Sequence, residues 1–359
     1  MLPIQWLFEP GVVGFGRFGN RKGIVMRILV TGGTGFVGSH ILDYLVDLKS
    51  NSGGSIEIYA TRRYHLSRRD KVLHLQKNVN WVDCDITDPI AVNRVISQIK
   101  PDRLFHMAAE SFVSPSWDHP HRYMDVNYNG TVNILEALKN FAPDCRILIP
   151  GSGEEYGDIF ESELPISDRT PLRPVNPYAV TKVAQDLISY VYFRSYNLKV
   201  LRLRTFNHEG PRREHYFGIA SYCYQIAKME IGLQELILRV GHTGDKRNFT
   251  HVRDIVRAYF LAMDGLEPGD LYLVGTERDE NIATFAEVIE RLVELSTLKS
   301  PIQIEQVAEY TRPTSVPYLL TDARKFSELT NWSPTYTLNE ILVDTLNYWR
   351  ERVKSNPDL

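Results

Sequence analysis

From Met26 onward, short apolar runs alternate with segments in which apolar residues recur every three or four positions, the pattern of strands followed by helices. Arg27 to Thr31 reads as a strand, and Ile41, Leu42, Leu45 and Val46 form a helical stripe behind it. Ile56 to Ala60, Val79 to Asp83, Arg103 to His106 and Arg146 to Ile149 read as further strands, with helical patterns at Ala91 to Ile99 and Val126 to Leu138. A long helix is predicted from Pro177 to Tyr196, because Asn176 can cap it and Pro177 suits its first turn. Lys199 to Arg204 is the next strand. Beyond it, Phe217 to Gly232 and Val252 to Met263 read as helices and Leu236 to Arg239 as a strand. In the closing helix, Leu338 to Arg352, residues Ile341, Leu342, Thr345, Leu346 and Trp349 share one side, most simply for core packing. No internal repeat or low-complexity tract is evident.

Length and charge narrow the picture. A chain of 359 residues can bury a large core and suits one big domain or two lobes. A formal charge of -3 gives no electrostatic case for nucleic acid, and no stretch approaches the apolar length of a membrane span, so a soluble protein is expected. Cys84, Cys145 and Cys223 lack Cys-x-x-Cys spacing, which argues against a disulfide framework or zinc site and fits a reducing compartment, with the cytoplasm as default. Residues 1–25 read as an extension outside the main fold and poorly as a signal peptide, since their basic residues come last and Glu9 interrupts the apolar part. Within them Gly14-Phe15-Gly16-Arg17-Phe18-Gly19 has the glycine spacing of a dinucleotide loop. No helix pattern follows it, so it is set aside.

The glycines that matter come later. Gly32, Gly35 and Gly38 follow a strand and open a helix, where they let the backbone turn sharply and approach a pyrophosphate at the helix N-terminus. After the second strand stand Arg62 and Arg63 where a carboxylate would suit the ribose of NAD, so NADP is favoured; a solvated basic loop running on to Arg68 and Arg69 is the alternative. Asp85-Ile86 can place a carboxylate near the adenine, while Asp88 can cap the next helix. Ala108 and Ala109 are small where backbone passes close to a cofactor, and His106 reads as a satisfied core histidine, with no metal site. Ser152 and Glu154 lie just past a strand's C-terminal end, the edge that lines the crevice of such sheets. Tyr178 and Lys182, at i and i+4, project from one helix face, so the ammonium is expected to lower the phenol toward a working proton shuttle. Alone, that pair reads more readily as a solvated Tyr beside a solvated Lys, and it is the glycine motif that reverses this.

Together, Thr31 to Gly38, His106 to Ala109, Ser152, Tyr178 and Lys182 resemble the extended short-chain dehydrogenase/reductase family, over Met26 to about Arg352. Within it, Arg62-Arg63, Ser114 to Trp117, Glu154 to Gly157, Phe206 to Arg213, Arg247 to Phe249 and Arg312-Pro313 look like the branch of GDP-mannose 4,6-dehydratase and GDP-4-keto-6-deoxymannose reductase. The resemblance implies a Rossmann-like doubly wound parallel sheet, mainly residues 26–205, with a smaller interleaved α/β substrate lobe, mainly residues 206–359. It implies NADP held by Gly32, Gly35, Phe36, Val37, Gly38, Arg62, Arg63, Asp85, Ile86, Ala108, Ala109, Tyr178, Lys182 and His208. A GDP-mannose type sugar would meet Ser111, Asn207, Lys228, Arg247 and Arg312, and the family commonly forms dimers or tetramers through helices. The implied reaction is 4,6-dehydration with Ser152, Glu154, Tyr178 and Lys182 as catalytic residues; NADPH-dependent 4-reduction, another nucleotide-sugar epimerase or dehydratase activity, and a cofactor-holding sensor are the alternatives. Two departures stand out. Gly153 occupies a position where related dehydratases carry a hydroxyl or carboxylate, and no acidic residue follows Arg312-Pro313.

Overall fold

The computed structural model describes residues 25–51 and 56–357, so the N-terminal extension and its glycine repeat lie outside the described residues, Val25 excepted. The first half of the chain forms β1 (Met26–Thr31), α1 (Phe36–Asn51), β2 (Ile56–Arg62), β3 (Asn80–Asp83), α2 (Pro89–Ile99), β4 (Arg103–His106), α3 (Pro120–Tyr123), α4 (Gly130–Phe141), β5 (Arg146–Ser152), α5 (Pro177–Tyr196) and β6 (Lys199–Thr205). Then come β7 (His208–Glu209), α6 (Gly218–Glu230), β8 (Ile237–Val240), β9 (Lys246–Asn248), β10 (Thr250–His251), α7 (Val252–Gly265) and β11 (Leu271–Val274). The chain closes with β12 (Ile282–Thr284), α8 (Phe285–Leu295), β13 (Gln303–Gln306), β14 (Tyr318–Leu319), α9 (Arg324–Thr330) and α10 (Leu338–Ser355).

Seven strands form one sheet in the order β3-β2-β1-β4-β5-β6-β11, and every pairing in it is parallel. Starting from β1, the chain winds outward to β3 and then returns to build the other side from β4. The reversal opens a crevice between the C-terminal ends of β1 and β4. Parallel strands need both faces covered, which explains their continuous apolar runs. On one face Ile41, Leu42 and Leu45 of α1 and Ile255, Val256 and Tyr259 of α7 pack on Ile28, Val30 and Ile58. On the other, Val92, Val95 and Ile96 of α2 and Ile134, Leu135 and Leu138 of α4 pack on Leu29, Leu104 and Ile147. Each such side chain stabilises the fold by about 1.5–3 kcal/mol.

Several details depart from the sequence pattern. The run Leu271 to Val274 is the seventh strand of the main sheet, so residues from beyond the Gly218–Glu230 helix return to it. The helix expected from Val126 begins instead as a wider π turn, Met124–Asn129, which carries the buried Asn127. Both ends of that side chain are used: its Oδ1 accepts from Glu110 N at 2.9 Å, and its Nδ2 donates to Glu110 O at 3.0 Å and to Thr181 Oγ1 on α5 at 2.9 Å. Strand β5 continues to Ser152, placing that hydroxyl on the sheet itself.

A second packing centre joins Ile219, Cys223 and Ile226 of α6, Val288 and Leu292 of α8, and Ile341, Leu342, Leu346 and Trp349 of α10. The segment before α10 is tied to α7 by one carboxylate. Asp254, buried, accepts from Thr335 N at 2.9 Å, Thr335 Oγ1 at 2.9 Å, Tyr336 N at 3.1 Å and Arg257 Nη2 at 2.9 Å. Asp254→Ala strands two backbone donors and is expected to cost about 3 kcal/mol in urea unfolding; a loss below about 1 kcal/mol would show that this tie contributes little.

Candidate functional site

The crevice begins at the turn after β1. Gly32 adopts φ +65°, and a Cβ there would come within 2.7 Å of Ala108 N, so the turn lies directly against the chain leaving β4. Thr31 Oγ1 fastens the same junction, accepting from Ala108 N at 3.2 Å and pairing with His106 Nδ1 at 2.9 Å. His106 is satisfied on both sides, since its Nε2 meets Thr131 Oγ1 at 3.1 Å, and burial brings the ring down to about 3. Gly35 N donates to Gly32 O at 2.9 Å, and α1 starts at Phe36 with no acidic residue in its first turn. Unpaired first-turn amides and an uncompensated positive helix end are what a pyrophosphate needs. The loop therefore fits a dinucleotide.

A strap, residues 206–217, closes over this loop. His208 stacks on Phe36 with ring centroids 5.9 Å apart and planes at 4°. Burial brings the His208 imidazole down to about 4. The Arg213 guanidinium lies 4.9 Å from the Phe36 ring centroid and 3.7 Å from that of Phe217, which points a cation into the crevice. Three buried contacts anchor the strap: Arg212 Nη1 to Asp43 Oδ2 at 2.6 Å, His40 Nε2 to Pro211 O at 2.9 Å, and the Lys71–Glu214 ion pair. At the other end of the crevice Arg62 Nε pairs with Asp83 Oδ1 at 2.9 Å across β2 and β3, leaving Arg63 as the exposed cation. Asp85 accepts from Thr87 N and Oγ1 at 3.0 and 2.8 Å, next to the buried Ile86, while Asp88 caps α2.

The groups expected to be catalytic gather where β5 ends. Ser152 Oγ accepts from Glu154 N at 3.2 Å and hydrogen-bonds the Tyr178 phenol. Asn176 does two jobs: its Oδ1 caps α5 by accepting from Ala179 N at 2.7 Å, and its Nδ2 donates to Glu154 Oε2 at 3.0 Å. Tyr178 and Lys182 follow on the buried face of α5. Lys182 Nζ donates to Pro150 O at 2.6 Å and to Gln185 Oε1. Gln185 in turn donates to Thr131 Oγ1 at 2.6 Å, which links the amine through His106 to Thr31.

The expectation that Lys182 lowers the phenol needs correction. Burial pushes the Tyr178 phenol up to about 12, helped by Glu154 and Glu155 and opposed by Ser152 and Arg213. The amine is spent on Pro150 and Gln185. Burial brings Lys182 down to about 8 while Glu155 and Asp186 hold it up. The adjacent carboxylates also part company. Glu154 is partly exposed to the crevice and lies 3.7 Å from Arg312 Nη1; Glu155 points inward to Arg204 Nε at 2.8 Å.

Of the expected sugar contacts, Arg312 and Arg247 join Glu154: Arg247 is buried with Nη2 3.3 Å from Asp245 Oδ2, and the Glu154 charge acts on it. Lys228 lies elsewhere on α6, 3.4 Å from Tyr224 OH. The backbone oxygen of Asn207 accepts from Thr250 N at 3.0 Å, and Ser111 is exposed beyond Ala109. Arg213, Asn127 and Gln185 were assigned no role from the sequence. Only Arg213 carried a signal, as part of the Phe206 to Arg213 run.

Comparison with known proteins adds an independent line. The family model described as GDP-mannose 4,6 dehydratase matches residues 29–345. The GDP-6-deoxy-D-mannose reductase of Pseudomonas aeruginosa is 30% identical over 333 residues, covering 92% of this chain and 99% of that protein. GDP-mannose 4,6 dehydratase 1 of Arabidopsis thaliana is 30% identical over 315 residues, covering 85% of this chain and 84% of that protein. The solved structure of RMD from Pseudomonas aeruginosa complexed with NADPH superposes with a TM-score of 0.75 at 28% identity, covering 92% of this chain and all of that one, 100%.

The buried histidines generate a prediction about acid. His106 is held well below its free value of about 6.5, so the unfolded chain takes up its proton first as pH falls. The stability it contributes is present above pH 6.5 and is lost as pH drops from there towards about 3. Urea midpoints measured between pH 7 and 4 should fall less steeply for His106→Gln than for the unaltered protein; parallel curves would remove His106 from the acid response.

Proposed function

Because this chain belongs to the GDP-mannose 4,6-dehydratase family, we propose that it is an NADP-dependent dehydratase of GDP-mannose, forming GDP-4-keto-6-deoxymannose. The observation that carries this reading is Glu154, a crevice-facing carboxylate steered by Asn176 at 3.0 Å and Arg312 at 3.7 Å, beside the Ser152–Tyr178 pair. Bound NADP supplies a hydride acceptor for C4 of the sugar and, once reduced, the hydride for C6. Tyr178 takes the proton of the C4 hydroxyl, and Ser152 holds that oxygen as its charge changes. With C4 a ketone, the C5 proton is acidic; Glu154 removes it and passes a proton to the departing C6 hydroxyl, which leaves as water. Arg213 is the cation whose charge acts on the phenol, while Arg247 and Arg312 suit a diphosphate by their convergent fork donors.

Two observations favour 4-reduction as the second reading. A Cβ on Gly153 would lie 3.0 Å from Phe206 Cδ1, so an aromatic ring occupies the place beside Ser152 where a further proton donor would stand. A phenol pushed up to about 12 also keeps its proton at neutral pH, which suits an acid reducing a ketone.

One incubation separates the two. The dehydratase converts GDP-mannose with NADP in catalytic amount, whereas a reductase leaves it untouched and consumes NADPH in proportion to added 4-keto sugar. Tyr178→Phe is expected to lower kcat by about a thousandfold in either direction with NADP affinity within about threefold; near-normal turnover would overturn the role of the phenol. Glu154→Gln should abolish dehydration yet still allow reduced cofactor to appear on adding GDP-mannose.

A further inference from the structure

Beneath the reactive groups lies an array of buried charges that the reading above leaves unused. Glu155 Oε1 accepts from Ser152 N at 2.7 Å, and its other oxygen meets Arg204 Nε at 2.8 Å. Arg204, on β6 in register with Gly151, reaches Asp186 Oδ2 with Nη2 at 2.6 Å and Tyr156 OH with Nη1 at 3.0 Å. Asp186 also takes Arg202 Nη1 at 3.1 Å. Backbone and side chain are fitted to one another here: a Cβ on Gly151 would collide with Glu155 Oε1, so glycine is what admits the carboxylate beneath the strand.

Glu155 accepts from Ser152 N and pairs with the Arg204 guanidinium; burial and the neighbouring Asp186 charge push its carboxyl up to about 7, while Arg204, Ser152 N and Lys182 favour the anion. Lys182 faces Glu155 from the turn after β5, Asp186 from its own helix, Arg204 through both carboxylates, and the neutral His106 from β4. The two carboxylates are thus paired with Arg204 and Arg202, and their charge acts on Lys182, whose amine is bonded to Pro150 O and Gln185 Oε1. Removing either carboxylate leaves the buried Lys182 and Arg204 and the half-buried Arg202 with one counter-charge, and the lysine is the one that can release a proton.

We infer that Glu155, clamped by Arg204, is a positioning residue: it fixes the backbone of Ser152 and, with Asp186, supplies the negative charge against which Lys182 stays protonated. A side chain adjacent to Glu154 but turned the other way thereby acts on Ser152 and Lys182 without touching substrate. The inference rests on the proposed reading only in taking those two residues as reactive, and it holds for dehydration and reduction alike.

The test is the titration of Lys182 itself in the full chain, followed by nitrogen NMR of protein labelled at lysine Nζ and assigned by loss of the signal in Lys182→Met. Glu155→Gln keeps an acceptor for Ser152 N and is expected to lower the Lys182 titration by about one pH unit, as is Asp186→Asn. The alkaline limb of kcat should move by the same amount with KM for the nucleotide sugar within about twofold, because each unit cuts the protonated fraction tenfold above it. Arg204→Lys, which keeps the charge but breaks the fork, should leave the titration in place and lower kcat about tenfold. An unmoved titration in either carboxylate variant, or unchanged kcat in Arg204→Lys, overturns the inference. A shifted titration in a protein inert towards both GDP-mannose and the 4-keto sugar would support the positioning role and count only against the proposed reaction.

Discussion

Arg204 stands where three elements meet, and its guanidinium decides how they fit together. It leaves β6 beneath the end of β5, takes Glu155 from the turn that follows Ser152, and takes Asp186 from α5. Removing one partner of such a pair costs about 3–5 kcal/mol, whereas exchanging the whole array for apolar residues of similar volume is often neutral. Its value is therefore geometric. An apolar contact between α5 and the sheet would tolerate small rotations of the helix; a guanidinium hydrogen-bonded to Asp186 and Tyr156 and paired with Glu155 does not. Tyr178, two turns before Asp186 on the same helix, inherits that orientation relative to Ser152.

The start of α5 imposes a second constraint on the same helix. Asn176 is a helix cap and a hydrogen-bond donor to Glu154 at once, so the residue that starts the helix also aims the crevice-facing carboxylate. Because Asn176 caps α5 and Asp186 lies ten positions on, near the middle of the helix, one rod reaches Glu154 directly and its neighbour Glu155 through Arg204. This separates their roles. The carboxylate steered by an amide and a partly exposed arginine stays in the crevice, while the one bound by a buried guanidinium becomes part of the framework.

Much of this was legible in the sequence, and the exceptions share a cause. Strands β1, β2 and β4 were readable because a parallel sheet buried on both faces demands continuous apolar runs, and the turn at Gly32 because glycine there answers a positive φ and a neighbouring backbone. Asn176-Pro177 announced α5 through capping chemistry that is local in the chain. What escaped were pairings between distant residues. Arg204 looked like an ordinary strand residue, Arg62 showed no sign of its partner Asp83, and Gln185 gave no hint of its place between Lys182 and Thr131. The phenol was misjudged for the same reason: an i,i+4 spacing shows that two side chains can meet, but burial, and the distant Pro150 carbonyl that draws the amine away, are tertiary facts.

The strap over the glycine loop extends the argument to the packing centre around α6, α8 and α10. Its residues 206–217 leave the main sheet and lead into α6, yet Arg212, Pro211 and Glu214 are fastened back onto α1 and the segment after β2. Such a link makes the position of the Phe36 turn and that of α6 depend on one another. Arg213 lies at the centre of this link, with its guanidinium against Phe36 of the loop and Phe217 at the head of α6, and its field reaches Tyr178 and His208. This cation is held between two aromatic faces and by the Glu209 carboxylate, 3.9 Å away. The positive end of α1 and the Arg213 guanidinium thus bound the same crevice, and Arg213 joins the glycine turn at Phe36 to the head of α6 through one residue.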